Sequence, residues 1–129
     1  MIKILLISLD NTIKLFIERK FKKPEYQSII FNETSDPLDI ISQVCKINPA
    51  ILIIDDDFIN PNSLHLLKST KNIKPNLSIV FITSNSSLEL GREINRIGVK
   101  YYLIKPISEI EFYEYVKSIC INSKSHTYK

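Results

Sequence analysis

Three residues of types suited to handling a phosphoryl group, Asp55, Thr83 and Lys105, each close a short apolar run: I-L-I-I-D, I-V-F-I-T and Y-Y-L-I-K. A carboxylate can act as nucleophile and form an acyl phosphate, a hydroxyl can bond one transferred oxygen, and an ammonium can neutralise another. Taken singly, a Thr after a strand caps or packs, a lone Lys is a solvated charge and an Asp there serves a turn. Their joint placement carries the signal. Around them the chain reads Ser8-Leu9-Asp10, Asp55-Asp56-Asp57, Thr83-Ser84 and Lys105-Pro106. Three adjacent carboxylates repel one another, so a cation is expected beside them. Side-chain alternation places Asp55 and Asp57 on one side and Asp56 on the other, if the strand continues that far.

The apolar runs Lys3–Ser8, Gln27–Phe31, Ile51–Asp55, Ser78–Thr83 and Tyr101–Ile104 are strand-sized and rich in Ile, Val, Leu, Phe and Tyr. Between them lie segments with a helical apolar repeat, such as Ile13, Phe16, Ile17 and Phe21, or Leu90, Ile94 and Ile97. Helix starts are marked by Ser86 with Glu89, by Ser108 with Glu111, and by Asp36 before Pro37. The pattern is β-α, repeated five times. Because runs such as I-L-I-I lack polar alternation, both faces of the sheet must be covered, which predicts a parallel sheet between helix layers. Right-handed crossovers bring the C-terminal strand ends to one edge, with a crevice where the winding reverses. The residues that could do chemistry meet there.

A chain of 129 residues, 44% of them apolar, suits one domain with a sizeable core. Residues 1–121 form that domain, and 122–129 read as a frayed tail. The net charge of +3 is modest and the lysines are scattered, which argues against nucleic acid as a partner. No apolar run approaches a membrane span or a signal sequence, so a soluble, cytoplasmic protein is expected. Cys45 and Cys120 fall on apolar helix stripes and read as reduced core thiols. His65 and His126 have no partner at ligand spacing and read as surface residues. The Lys-, Ile- and Asn-rich composition suggests an AT-rich bacterial genome.

In order and spacing these motifs resemble, over essentially the whole chain, the receiver domain of two-component response regulators, the CheY-like family. The resemblance implies a flavodoxin-like doubly wound fold and a signalling role without enzyme activity. It implies Asp55 as phosphoacceptor and Thr83 as switch hydroxyl, followed by the small Ser84. From G-V-K-Y-Y-L-I-K-P it implies Tyr102 as the rotating aromatic, Lys105 as the phosphate-binding lysine and a cis bond between Lys105 and Pro106. Mg²⁺ would sit beside the acceptor, with Asp10, Asp55 and Asp57 as its ligands here. The partners implied are a sensor histidine kinase or a downstream signalling protein, and a homodimer through the fourth helix, fifth strand and fifth helix.

Two departures from that pattern fall on one site. Where the family carries an acidic pair after the first strand, this chain has Ser8 and Leu9, a poor ligand and a non-ligand for a hard cation. A one-residue shift would aim Asp10 at Asp55 instead. After the acceptor, the family's Pro and Gly positions hold Ile59 and Ser63, with Pro61 displaced, so a reshaped loop is expected. The expectation is therefore a phosphorelay receiver with weakened Mg²⁺ binding; the alternative is a protein-binding pseudo-receiver that takes no phosphate. S-L-D-N-T also resembles the D-x-D-x-T signature of haloacid-dehalogenase-type phosphatases, with Ser8 in the nucleophile's place.

Overall fold

A computed structural model describes residues 1–127. Five parallel strands, β1 (Ile2–Ile7), β2 (Tyr26–Phe31), β3 (Ile51–Asp55), β4 (Ser78–Thr83) and β5 (Tyr101–Ile104), form one sheet in the order β2-β1-β3-β4-β5. The helices are α1 (Asn11–Lys20), α2 (Pro37–Ile47), α3 (Asp56–Ile59), α4 (Ser63–Ile73), α5 (Leu88–Ile97) and α6 (Glu109–Thr127). The winding reverses between β1 and β3, and this places the crevice beside the ends of both. Because of the short α3, the fourth and fifth helices expected from the sequence are α5 and α6.

Successive residues of each inner strand pack on opposite faces. Ile4 and Leu6 of β1, Ile53 of β3 and Val80 of β4 join Phe16 of α1 and Phe112 of α6. Leu5, Ile7, Leu52, Ile54 and Phe81 join residues of α2, α4 and α5 across the sheet. The uninterrupted apolar runs are the direct requirement of this double burial. Each inner strand then delivers its terminal polar residue to the same edge, and the register Asp55 to Ile82 and Thr83 to Ile104 keeps those ends adjacent.

Local signals fix the helix starts. Asp36 accepts the Leu38 amide ahead of Pro37, and Ser108 accepts the Glu111 amide. At α5 the cap is Ser87, which accepts the Leu90 amide, and not Ser86. Either serine could cap that start, and the helix uses the later one. Cys120 is buried in the core, but Cys45 is exposed on α2, where the buried stripe runs through Ile40 and Val44. One residue beyond Val44 is a rotation of about 100° off that stripe. His65 is exposed on α4, and the side chain of His126 lies outside the described part of the chain. The α6 helix passes the expected boundary at Ile121 and continues to Thr127, while Tyr128 and Lys129 lie outside the described residues. Among the described residues no helix is long and apolar enough to cross a membrane.

Candidate functional site

At the strand-end edge Asp55 is 2% exposed and every oxygen of its carboxylate is engaged. Oδ2 accepts the Ser8 hydroxyl at 2.6 Å, Oδ1 accepts the Asp57 amide at 3.1 Å, and Lys105 Nζ lies 3.1 Å from both oxygens. The Asp57 contact arises because the chain turns into α3 straight after Asp55, which serves as that helix's N-cap. This turn opens the segment that carries Ile59, Pro61 and Ser63.

The same Nζ reaches Asp10 Oδ2 and Asp57 Oδ2, each at 2.9 Å, so one ammonium gathers three carboxylates. Asp10 is fixed as the N-cap of α1, its Oδ1 accepting the amides of Thr12 and Ile13. It joins the cluster through Lys105. Ser8 Oγ accepts the Asp10 amide while donating to Asp55, which ties the end of β1 to the end of β3. The Leu9 side chain is 62% exposed and takes no part. Lys105 is brought in from β5 by its amide's bond to the Thr83 carbonyl, and the Lys105–Pro106 peptide is cis.

Asp56 points the other way and makes a second, separate cluster. It is 5% exposed, and accepts the hydroxyls of Ser63 at 2.6 Å and Thr83 at 2.7 Å. The Thr83 hydroxyl is therefore bonded to Asp56, and in turn accepts the Asn85 amide. Ser84 bonds Asp57 twice: its amide reaches Oδ1 at 3.2 Å and its hydroxyl donates to Oδ2. Tyr102 lies parallel to Phe81, ring centres 5.9 Å apart, and donates to the Asn85 carbonyl.

The electrostatics follow from this geometry. Burial alone would lower the Lys105 pKa, but the bonds to Asp57, Asp10 and Asp55 prevail and raise it above the usual lysine value. Burial would raise Asp10 and Asp57; for Asp10 the bond to Lys105, and for Asp57 the bonds to Ser84 and Lys105, hold the carboxyl below the ordinary value. The phenol of Tyr102 is pushed up by burial and by the nearby Asp56 charge.

Of the three residues expected as metal ligands, Asp57 through its backbone carbonyl, the side-chain carboxylates converge on Lys105 at distances proper to an ammonium. Mg²⁺ requires oxygens at about 2.1 Å in octahedral array. With Nζ at the convergence point, Ser8 donating its hydroxyl to Asp55 and Leu9 turned to solvent, the set as arranged does not fit that ion. Beside the cluster an open cavity of about 310 Å³ lies between α1 and the turn after β5, lined by Ile13, Phe16 and Ile107 together with Asp10 and Lys105.

Two features of the site were not legible beforehand. The run of three aspartates gives Asp56 its opposite direction, but nothing in the sequence pairs it with Ser63, seven residues on, or with Thr83. The use of Ser8 as a donor to Asp55 is likewise visible only once β1 and β3 are neighbours.

Fold and strand-end set together define the receiver fold of response regulators. A CheY-like response regulator receiver domain protein from Methanospirillum hungatei JF-1 superposes with a TM-score of 0.79 at 17% identity, covering 97% of this chain and 98% of that one. A response regulator receiver domain protein from Clostridium thermocellum gives 0.75 at 20% identity, covering 96% and 98%. No family model matches the chain. In sequence, 76 residues are 26% identical to the uncharacterized transcriptional regulatory protein YesN of Bacillus subtilis (strain 168), a match over 59% of this chain that spans only 21% of that protein.

Proposed function

We propose that the chain is a two-component signalling module that keeps the receiver shape and engages its partner protein without phosphorylation of Asp55. The observation that carries this reading is the saturation of Asp55: its two oxygens take four contacts, from Ser8, Asp57 and Lys105, in a buried position. A nucleophile needs a free lone pair aimed at phosphorus, and here each is committed. The Lys105 ammonium supplies the positive charge that a divalent cation would otherwise bring, so no Mg²⁺ is required to hold the carboxylates together. The partner is a sensor histidine kinase or a downstream protein, met on the surface formed by α5, β5 and α6, which also offers a route to a homodimer. The module acts in the cytoplasm.

A second reading keeps Asp55 as phosphoacceptor in a phosphorelay, with Thr83, Ser84, Tyr102 and Lys105 in the switch. It is favoured by the direct contact between Asp55, at the end of β3, and Lys105, just after β5, across the intervening end of β4. Intact mass after incubation with acetyl phosphate, with and without Mg²⁺, separates the two. The native chain is expected to gain no phosphoryl group in either condition. A Mg²⁺-dependent adduct that disappears in Asp55→Ala would establish the second reading.

A further inference from the structure

A phosphoryl group carried by Asp55 would need donors for its three anionic oxygens. The donors at the mouth of the site are Lys105 Nζ, the Ser84 amide and the Ser84 hydroxyl, and all three bond the Asp57 carboxylate, Nζ while also holding Asp10 and Asp55. That carboxylate shares Nζ with Asp55, at 2.9 Å against 3.1 Å, so it holds the same ammonium that a phosphoryl group on Asp55 would need. From this we infer that Asp57 fills, from within the chain, an oxyanion site made by Ser84 and Lys105, and thereby stands in for a phosphoryl group. Its backbone is fixed for the purpose, because the Asp57 amide is anchored on Asp55 at the start of α3.

The filling has two chemical effects. Charge-assisted bonds from an ammonium and an amide to a resident carboxylate must be broken before another anion can use those donors. The carboxylate also repels any dianionic phosphate donor approaching Asp55. Together they explain, resting on the reading above that the chain works unmodified, why the site would stay closed to phosphate. They also give the edge the bonded anion that phosphorylation would otherwise provide.

Replacing Asp57 should free Ser84 for a phosphoryl group and leave Lys105 Nζ free to follow that group's oxygens, which releases the Asp55 lone pairs it now holds. In acetyl phosphate the reaction to be scored is attack of an Asp55 oxygen on phosphorus. The new O–P bond forms as the bond to the acetyl oxygen breaks, and acetate leaves with that electron pair. With acetyl phosphate and Mg²⁺, Asp57→Ala is expected to gain a phosphoryl group at a rate about tenfold or more above the detection limit under which the native chain stays, since it recovers at least one charge-assisted donor. The label should vanish in Asp57→Ala with Asp55→Ala. Asp57→Asn, which keeps an acceptor for Ser84 but not the charge, should fall between and guards against poor folding of the alanine variant. Both variants are checked by circular dichroism. Folded variants that label no faster than the native chain overturn the filling and leave the unphosphorylated reading intact. A native chain that labels readily, with the variants at least tenfold faster still, overturns that reading and keeps the filling.

Discussion

Asp55 and Asp56 are consecutive residues, both almost wholly buried, yet they are compensated by different means. Asp55 belongs to a cluster of three carboxylates held by one ammonium that is partly open to solvent. Asp56 has two hydroxyls and no cation among its hydrogen-bond partners. The direction of each side chain across the sheet decides which kind of neighbour it finds: Asp55 faces the side of α1 and the end of β5, Asp56 the side of α4. The comparison teaches that the ionic half of the site depends on a single residue, whereas the hydroxyl half spreads one charge over two elements.

The sharpest way to break the ionic half is Lys105→Met. Three carboxylates would then face one another without a cation, held only by Ser8, Ser84 and backbone amides, and urea unfolding at pH 7 should show a loss of about 2 to 4 kcal/mol. The pH dependence carries a sign. Asp10 and Asp57 are depressed in the folded chain, so their contribution is present above the unfolded value of 3.8 and is lost as pH falls through the folded values. Lys105 is raised, so its contribution is fully present below 10.5 and is lost as pH rises through its folded value. The native chain should therefore weaken at both ends of the range. In Lys105→Met the alkaline limb should shrink to what the raised phenols of Tyr26 and Tyr102 contribute, and the deficit should shrink on acidification as the carboxylates protonate. A deficit that stays constant from pH 7 down to about pH 2, well below the unfolded carboxylate value of 3.8, would show that the carboxylates do not depend on this ammonium.

Next in size is Asp56→Val, which leaves the buried hydroxyls of Ser63 and Thr83 without their acceptor and should cost about 2 to 3 kcal/mol. Adding Ser63→Ala and Thr83→Val removes those orphaned groups and should recover part of the loss. A triple variant no more stable than the single one would mean that the hydroxyls are not what Asp56 compensates. The smallest effect expected is that of Ser8→Ala, about 1 kcal/mol for one donor to Asp55 among several, again read by urea unfolding.

The sheet was legible because double burial writes itself as unbroken apolar runs, and the helices because Asp36, Ser108 and the 3.6-residue repeat mark them. Residues that end strands could be gathered at one edge from the repeating β-α order alone. Partnership within the edge could not. The Asp10 carboxylate meets Asp55 by way of Lys105, a residue 95 positions later in the chain, and its amide does so by way of Ser8. Thr83 follows the same strand pattern whether it faces Asp55 or Asp56. Such choices depend on tertiary placement of a few ångströms, to which hydrophobic periodicity is blind. Cys45 failed for a simpler reason, since a stripe read from spacing has an edge, and that residue lies just past it.

The sheet order has a dynamic consequence. Strands β1, β3 and β4 each have two strand neighbours and bury their central residues completely, so their amides should exchange with solvent last, through global unfolding. Strand β5 is a four-residue edge strand whose residues are only partly buried or exposed, and its amides should exchange through local opening. The carboxylate Asp55 thus rides on the slowest-exchanging part of the protein and the ammonium Lys105 on one of the fastest. When this edge breathes, the cation is the member that leaves.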